Sequence, residues 1–221
     1  MRWPAARCSP GRSPRDRARR LGFVSGPLQL RFVQSAAKHS QLPESVVELA
    51  VVGRSNVGKS SLLNALANRK SLAKTSKTPG ATRLLNVYEH DPVGSGRWLV
   101  DLPGYGYAKA PKQEQERWAR MIENYLTDRA TLDMALILID GAVGPTALDV
   151  QTLDWFEHID VPFQVIATKH DKVKPSKLGA RKRDLSAGCN VDPREIRWVS
   201  AAKGTGIPEL RSEIAGLLGV K

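Results

Sequence analysis

Cysteine is scarce: Cys8 and Cys189 are the only two in 221 residues, and neither has a neighbour at zinc-ligand spacing. That excludes a disulfide framework and a cysteine-based metal site, and it suits a reducing compartment. Long apolar runs are also missing. None approaches the roughly eighteen residues of a membrane-spanning helix, and residues 1–27 lack the apolar core of a secretory signal. Acids are the minority charge, 22 against 34 bases, for a formal net charge of +12. Residues 1–20 supply half of this, with seven arginines against Asp16 alone; 27 bases and 21 acids elsewhere supply the rest. A body that is basic without its tail favours a polyanionic partner such as RNA.

The first 27 residues are rich in Arg, Pro, Ser and Gly. Their arginine content is that of an organellar transit peptide, but Pro4, Pro10, Pro14 and Pro27 break the amphipathic helix such a peptide needs. The expectation is a disordered basic tail over 1–27 and a single domain over 28–221. Strand-like stretches are predicted at Leu28–Ser35, Val46–Val52, Leu84–Glu89, Arg97–Val100, Met134–Asp140, Phe163–Thr168 and Glu195–Ser200. Helices are predicted at Leu62–Ala67, Lys112–Thr127, Ala147–His158, Lys174–Ala187 and Ile207–Leu218. In the second helix, Trp118, Met121, Ile122 and Tyr125 form one apolar stripe. This alternation predicts an α/β fold of three layers, a mostly parallel six-stranded sheet with helices on both faces. Asp91–Gly96 reads as a hairpin turn, and Asn68–Arg83 as an exposed basic loop.

The first predicted core strand runs into Gly53-Arg54-Ser55-Asn56-Val57-Gly58-Lys59-Ser60, with Ser61 behind it. Strand, glycine loop, Lys-Ser and helix together fit the phosphate-binding P-loop. Glycines let successive N–H groups face phosphate oxygens, and the helix start adds its positive dipole end. Lys59 is then placed for the outer phosphates, and the Ser60 hydroxyl for Mg2+. Asp101-Leu102-Pro103-Gly104 follows, its Asp 42 residues after Lys59 and at a predicted strand end. There a carboxylate holds Mg2+ through water, and the Gly104 N–H approaches a terminal phosphate. Thr168-Lys169-His170-Asp171 closes a later strand. An ionised Asp171 accepts two hydrogen bonds and so matches the donor edge of guanine, which adenine lacks. The Lys169 stem can cover the plane of the base. Ser200-Ala201-Ala202-Lys203 comes 29 residues after Asp171, with small residues that let a backbone N–H reach the guanine carbonyl.

These four stretches, in this order, resemble a translation-factor-class GTPase, and more narrowly the EngB (YihA/YsxC) family of bacterial GTP-binding proteins. The resemblance runs from about Arg31 onward; Thr75–Arg83, with its Pro79-Gly80-Ala81-Thr82, and Asp101–Tyr107 are its most discriminating parts. It implies that Gly80, Ala81 and Thr82 form the first switch, with Thr82 closing on Mg2+. It also implies a cytoplasmic, monomeric GTPase binding GTP and GDP, with the RNA and proteins of the large ribosomal subunit as partners and no membrane. The family's role is large-subunit assembly, needed for normal cell division and septation. Ras-like GTPases carry a water-orienting Gln where this chain has Tyr105, so slow turnover is expected. In related GTPases an asparagine at the position of Asn56 helps hold K+, which adds Asn56 to Lys59 and Thr82 as candidate catalytic groups. A kinase or ATPase of similar fold is disfavoured by Asp171. A non-catalytic, GTP-gated scaffold for cell-division proteins is the remaining alternative.

Overall fold

The computed structural model describes residues 26–73, 84–106 and 112–220, without the side chains of Lys112 and Gln115. Most of the predicted tail, the predicted loop from residue 74 to 83, and Tyr107 lie outside these residues. In chain order the elements are β1 (Leu30–Ala36), β2 (Val47–Gly53), α1 (Lys59–Leu66), β3 (Leu85–His90), β4 (Arg97–Asp101) and α2 (Lys112–Asp128). They continue with β5 (Leu132–Asp140), α3 (Ala147–His158), β6 (Phe163–Thr168), α4 (Pro175–Cys189), β7 (Arg197–Trp198) and α5 (Ile207–Leu217).

Among the described residues the sheet has seven strands, in the order β1-β3-β4-β2-β5-β6-β7, rather than the expected six. The strand beyond the expected number is accounted for by β1, which pairs antiparallel with β3 and forms one edge. β3 and β4 are an antiparallel hairpin, while β4, β2, β5, β6 and β7 run parallel. β7 is only two residues long, because beyond Trp198 the chain turns away and Ser200 bonds to the loop after β6.

Side-chain alternation explains the three layers. In β2, Ala50 and Val52 join one apolar cluster, while Leu49 and Val51 join another. In β5, Ala135, Ile137 and Ile139 separate in the same way from Met134, Leu136 and Leu138. The first cluster takes Tyr125 of α2, Phe156 of α3 and Leu185 of α4; the second takes Leu62, Leu63 and Leu66 of α1 with Leu210 and Ile214 of α5. Period-two strands covered on both faces have no solvated side, so β2 and β5 are apolar almost throughout. Of the predicted α2 stripe, Ile122 and Tyr125 are buried and Trp118 and Met121 half-buried.

Buried carboxylates fasten the layers. Glu48, fully buried in β2, accepts from the Tyr125 hydroxyl (2.7 Å), Arg129 Nε (2.7 Å), Thr131 Oγ1 (3.1 Å) and the Ser45 hydroxyl. Removing one partner of a carboxylate pair buried this deeply costs about 3–5 kcal/mol, because the group left behind has no solvent to turn to. Arg211 of α5 donates to the carbonyls of Leu66 (2.9 Å) and Ala65 (2.6 Å) at the end of α1, adding to the bonds these accept from Leu28 N and Asn68 N. Among the described residues, no helix is long and apolar enough to cross a membrane.

Glu89 secures the β3–β4 turn. It accepts from Gly94 N (3.1 Å), Gly96 N (3.0 Å) and Trp98 Nε1 (3.4 Å), and pairs with Arg31. Burial pushes its carboxyl up, but these donors outweigh burial and leave it below the ordinary 4.5. A group depressed in the folded state contributes stability above its unfolded pKa and loses it as pH falls through the folded one. Denaturant unfolding of wild type and Glu89→Gln should therefore show a wild-type advantage at about pH 7 that narrows below about pH 4.5. An advantage that is constant with pH would contradict this account.

Candidate functional site

β2 lies between β4 and β5, and the connections leaving it and β4 go to opposite sides, so the crevice of this sheet opens at the carboxyl ends of these strands. The chain leaves β2 at Gly53, where a Cβ would lie 2.9 Å from both Leu138 O and Val57 Cγ1. Asn56 (φ 64°) and Gly58 (φ 113°) then take left-handed conformations, folding residues 54–58 into a loop before α1. Gly58 is the N-cap of α1 and offers no side-chain acceptor, so the first N–H groups of the helix remain available for an anion. Lys59 folds back into this loop, its Nζ 3.3 Å from Gly53 O. Burial lowers its pKa, opposed by Asp101. Ser60 is half-buried beside it, whereas Ser61 is exposed and the Val57 side chain is buried in the apolar cluster beneath α1.

Asp101 pairs in register with Val51 at the end of β4. The following residues continue alongside the loop: Leu102 N donates to Val51 O (3.1 Å), Ser55 N donates to Tyr105 O (3.1 Å), and Arg54 and Tyr105 form a parallel bridge. Gly104 sits directly on the loop, since a Cβ there would be 2.9 Å from Ser55 N. Leu102 and Pro103 are buried beneath it. Asp101 is 2% exposed; burial pushes its carboxyl up to about 6, with Lys59 and Asn86 pulling the other way. Its Oδ1 is buried with no hydrogen-bond partner. An orphaned anionic oxygen on the strand beside the Lys59–Ser60 loop suits a hard, oxygen-seeking cation, so Asp101 and Ser60 fit Mg2+. Gly80, Ala81 and Thr82, predicted to complete this side, lie outside the described residues. Asn64 of α1 holds the last described residue before them, bonding Ala73 O (2.9 Å) and Ala73 N (2.8 Å).

The other side of the loop meets β6. Thr168 Oγ1 donates to Val57 O (2.7 Å), and Lys169 Nζ donates to Asn56 O (2.9 Å) and to Asp140 Oδ2 (2.7 Å). His170 N is held by Val199 O, and its ring meets Trp198 edge-on. Asp171 Oδ1 accepts from Ser200 Oγ (2.6 Å); that bond holds its pKa below the usual carboxylate value, with Lys172 and Lys203 adding to it. An ionised Asp171 keeps lone pairs on both oxygens for further donors. Ser200 is fully buried, and its carbonyl and amide are tied to Gly204 and Thr205, which shapes the turn carrying Ala201 and Ala202. The structure thus brings residues 53–60, 101–104, 168–171 and 200–202 together around one loop.

Two carboxylates escaped the sequence reading. Asp140 closes β5 and anchors Lys169; its signal was an acid ending an apolar strand run on the ligand-binding edge of the sheet. Asp149, fully buried in α3, receives Arg54 and Tyr105. Thr146-Ala147-Leu148-Asp149 is legible as a capping box, which accounts for half of what Asp149 does.

A family model described as 50S ribosome-binding GTPase matches residues 48–169. The probable GTP-binding protein EngB of Pelotomaculum thermopropionicum is 43% identical over 192 residues, covering 86% of this chain and 95% of that protein. Among solved structures, that of a probable GTP-binding protein EngB superposes with a TM-score of 0.63 at 27% identity, covering 78% of this chain and all but 1% of that one (99%). Era in complex with MgGDPNP and nucleotides 1506–1542 of 16S ribosomal RNA superposes with a TM-score of 0.56 at 26% identity, covering 76% of this chain and 55% of that one. The chain belongs to the EngB family of GTP-binding proteins and is a GTPase.

Proposed function

We propose that this GTPase is a nucleotide switch in assembly of the large ribosomal subunit, acting in the bacterial cytoplasm and needed for normal cell division and septation. One observation carries the switch reading. The phosphate loop is hydrogen-bonded on one side to the segment after Asp101 and on the other to Thr168 and Lys169, so each senses the same nucleotide. The loop amides and the start of α1 hold the phosphates, Lys59 neutralises their charge, and the Gly104 N–H meets the terminal one. Asp171 accepts from the guanine N1–H and amino group, Lys169 covers the base, and the 200–202 turn meets the guanine carbonyl. Ser60, Thr82 and, through water, Asp101 hold Mg2+, which when bound neutralises charge developing on the phosphate oxygens. Asn56 is proposed to hold K+ beside them.

The RNA partner is supported by the matching family's description and by charge. Lys174, Lys177, Lys182 and Arg183 are exposed on and beside α4, Arg181 is half-buried, and Arg69 and Lys70 are exposed after α1. Lys74, Lys77 and Arg83 extend the second group in sequence. Such exposed bases bind phosphate backbones without reading sequence.

Three outcomes test this reading. Asp171→Asn should weaken GTP binding by about two orders of magnitude or more, because a donor replaces an acceptor opposite the guanine amino group. A xanthine nucleotide, which presents a carbonyl there, should recover much of the loss in a competition assay. Hydrolysis should be faster in potassium than in sodium buffer, with Asn56→Ala removing the difference; equal rates in the wild type would remove K+ from the site. Finally, co-sedimentation with large ribosomal subunits should be stronger with a non-hydrolysable GTP analogue than with GDP. Equal binding in GTP analogue, GDP and no nucleotide would overturn the switch.

A further inference from the structure

The geometry points to Asp149 as a positioning residue for GTP hydrolysis, acting as a clip across the seam between the phosphate loop and the Asp101–Tyr105 segment. Arg54 and Tyr105 are partners in the parallel bridge that joins these two stretches. Both side chains leave the nucleotide crevice and converge on the same carboxylate, 44 residues beyond Tyr105 in the chain. Tyr105 donates its hydroxyl to Asp149 Oδ1 at 2.9 Å, with Thr152 as a second neighbour of that hydroxyl. Arg54 Nε lies 3.0 Å from Asp149 Oδ2, as an ion pair whose N–H is not aimed along the hydrogen-bond direction. Asp149 is fully buried, and Tyr105 is 7% exposed.

The two carboxylate oxygens divide the work. Oδ2 accepts from Thr146 N and Thr146 Oγ1, both at 2.8 Å, which caps α3. That cap leaves Oδ1 unused, and Oδ1 is spent on Tyr105. Tyr105 occupies the place where Ras-like GTPases carry a water-orienting Gln, yet its hydroxyl is turned inward and cannot face a water at the phosphate. What the residue contributes instead is its position. Its carbonyl takes the Ser55 N–H, and its neighbour Gly104 rests against the Ser55 backbone with no room for a Cβ. Freeing the Tyr105 ring therefore frees Gly104 to leave the loop, and a small misplacement of a group meeting the reacting phosphate is costly in rate. Stability alone does not call for this arrangement, because a buried ion pair is seldom better than apolar packing of the same volume.

The inference rests on reading Gly104 as the residue that meets the terminal phosphate, and the experiment separates the two. Single-turnover and steady-state GTP hydrolysis, GDP affinity and thermal unfolding are measured on the full chain, with kcat normalised to nucleotide-binding stoichiometry. Tyr105→Phe and Asp149→Asn should each lower kcat about tenfold or more while KM and GDP affinity stay within about threefold. The double variant should lose no more than the worse single one, as expected of two groups acting through one contact. Thr146→Val, which weakens the α3 cap but leaves Oδ1 on Tyr105, should lower Tm and keep kcat. Unchanged kcat in either Tyr105→Phe or Asp149→Asn, additive losses in the double, or an equal loss in Thr146→Val would overturn the clip. Full activity in Gly104→Ala would instead overturn the phosphate-facing reading beneath it.

Discussion

Between Gly53 and Gly58 the chain leaves the sheet without leaving its hydrogen-bond network. Ser55 gives its N–H to Tyr105, while Asn56 and Val57 give their carbonyls to Lys169 and Thr168. A loop in which Asn56 takes a left-handed conformation would ordinarily be soft there, since such conformations are sparsely populated for any residue but glycine. Here neighbouring strands hold it from both sides, so the protein's own hydrogen bonds define its shape. Preorganisation of this kind is what electrostatic catalysis requires, because dipoles already in place need not reorient as charge develops. The sheet order places β4 and β5 on either side of β2, and β6 next beyond β5, so the fold and the site share one cause.

Much of this was legible in the chain itself, and the reasons are local. The bounds of α3 and β6 follow directly from apolar periodicity and turn residues. The four stretches around the loop are recognisable because each places a rare combination of small and polar residues at a strand end. Pairing is where local reading stops. Leu28–Ser35 reads as a strand, but nothing in it says that it joins the same sheet by pairing with β3, and so the sheet has one strand more than expected. Glu195–Ser200 reads as a full strand, yet Ser200 is drawn off by Asp171, and only Arg197 and Trp198 pair. Asp149 is only half open to local reading: its cap on Thr146 is local, but Arg54 and Tyr105 reach it from two distant stretches.

The distribution of charge between inside and outside also bears on what the composition suggests. Glu48, Glu89, Asp101, Asp140 and Asp149 are all buried, whereas Lys59 is the only buried lysine or arginine among the described residues. Each of these acids stands against a base, Glu48 with Arg129, Glu89 with Arg31, Asp149 with Arg54, Asp140 with Lys169 and Asp101 with Lys59, so the internal pairs neutralise one another and the excess of bases is left to the remaining surface. The internal acids do separate work: Glu48 ties α2 to β2, Glu89 shapes the hairpin, and Asp101 and Asp140 stand at strand ends facing the loop.

The contact between α5 and α1 bears on how the molecule is made. Arg211 supplies donors for the carbonyls that end the helix begun at Lys59, and Leu210 and Ile214 cover the face on which Leu62, Leu63 and Leu66 pack. Residue 211 is synthesised well over a hundred positions after the helix it finishes (145 separate Arg211 from Leu66). Ser200, which orients Asp171, is equally late. The phosphate loop is therefore made long before the residues that brace its helix and orient Asp171, and the site joins the early and late parts of the chain.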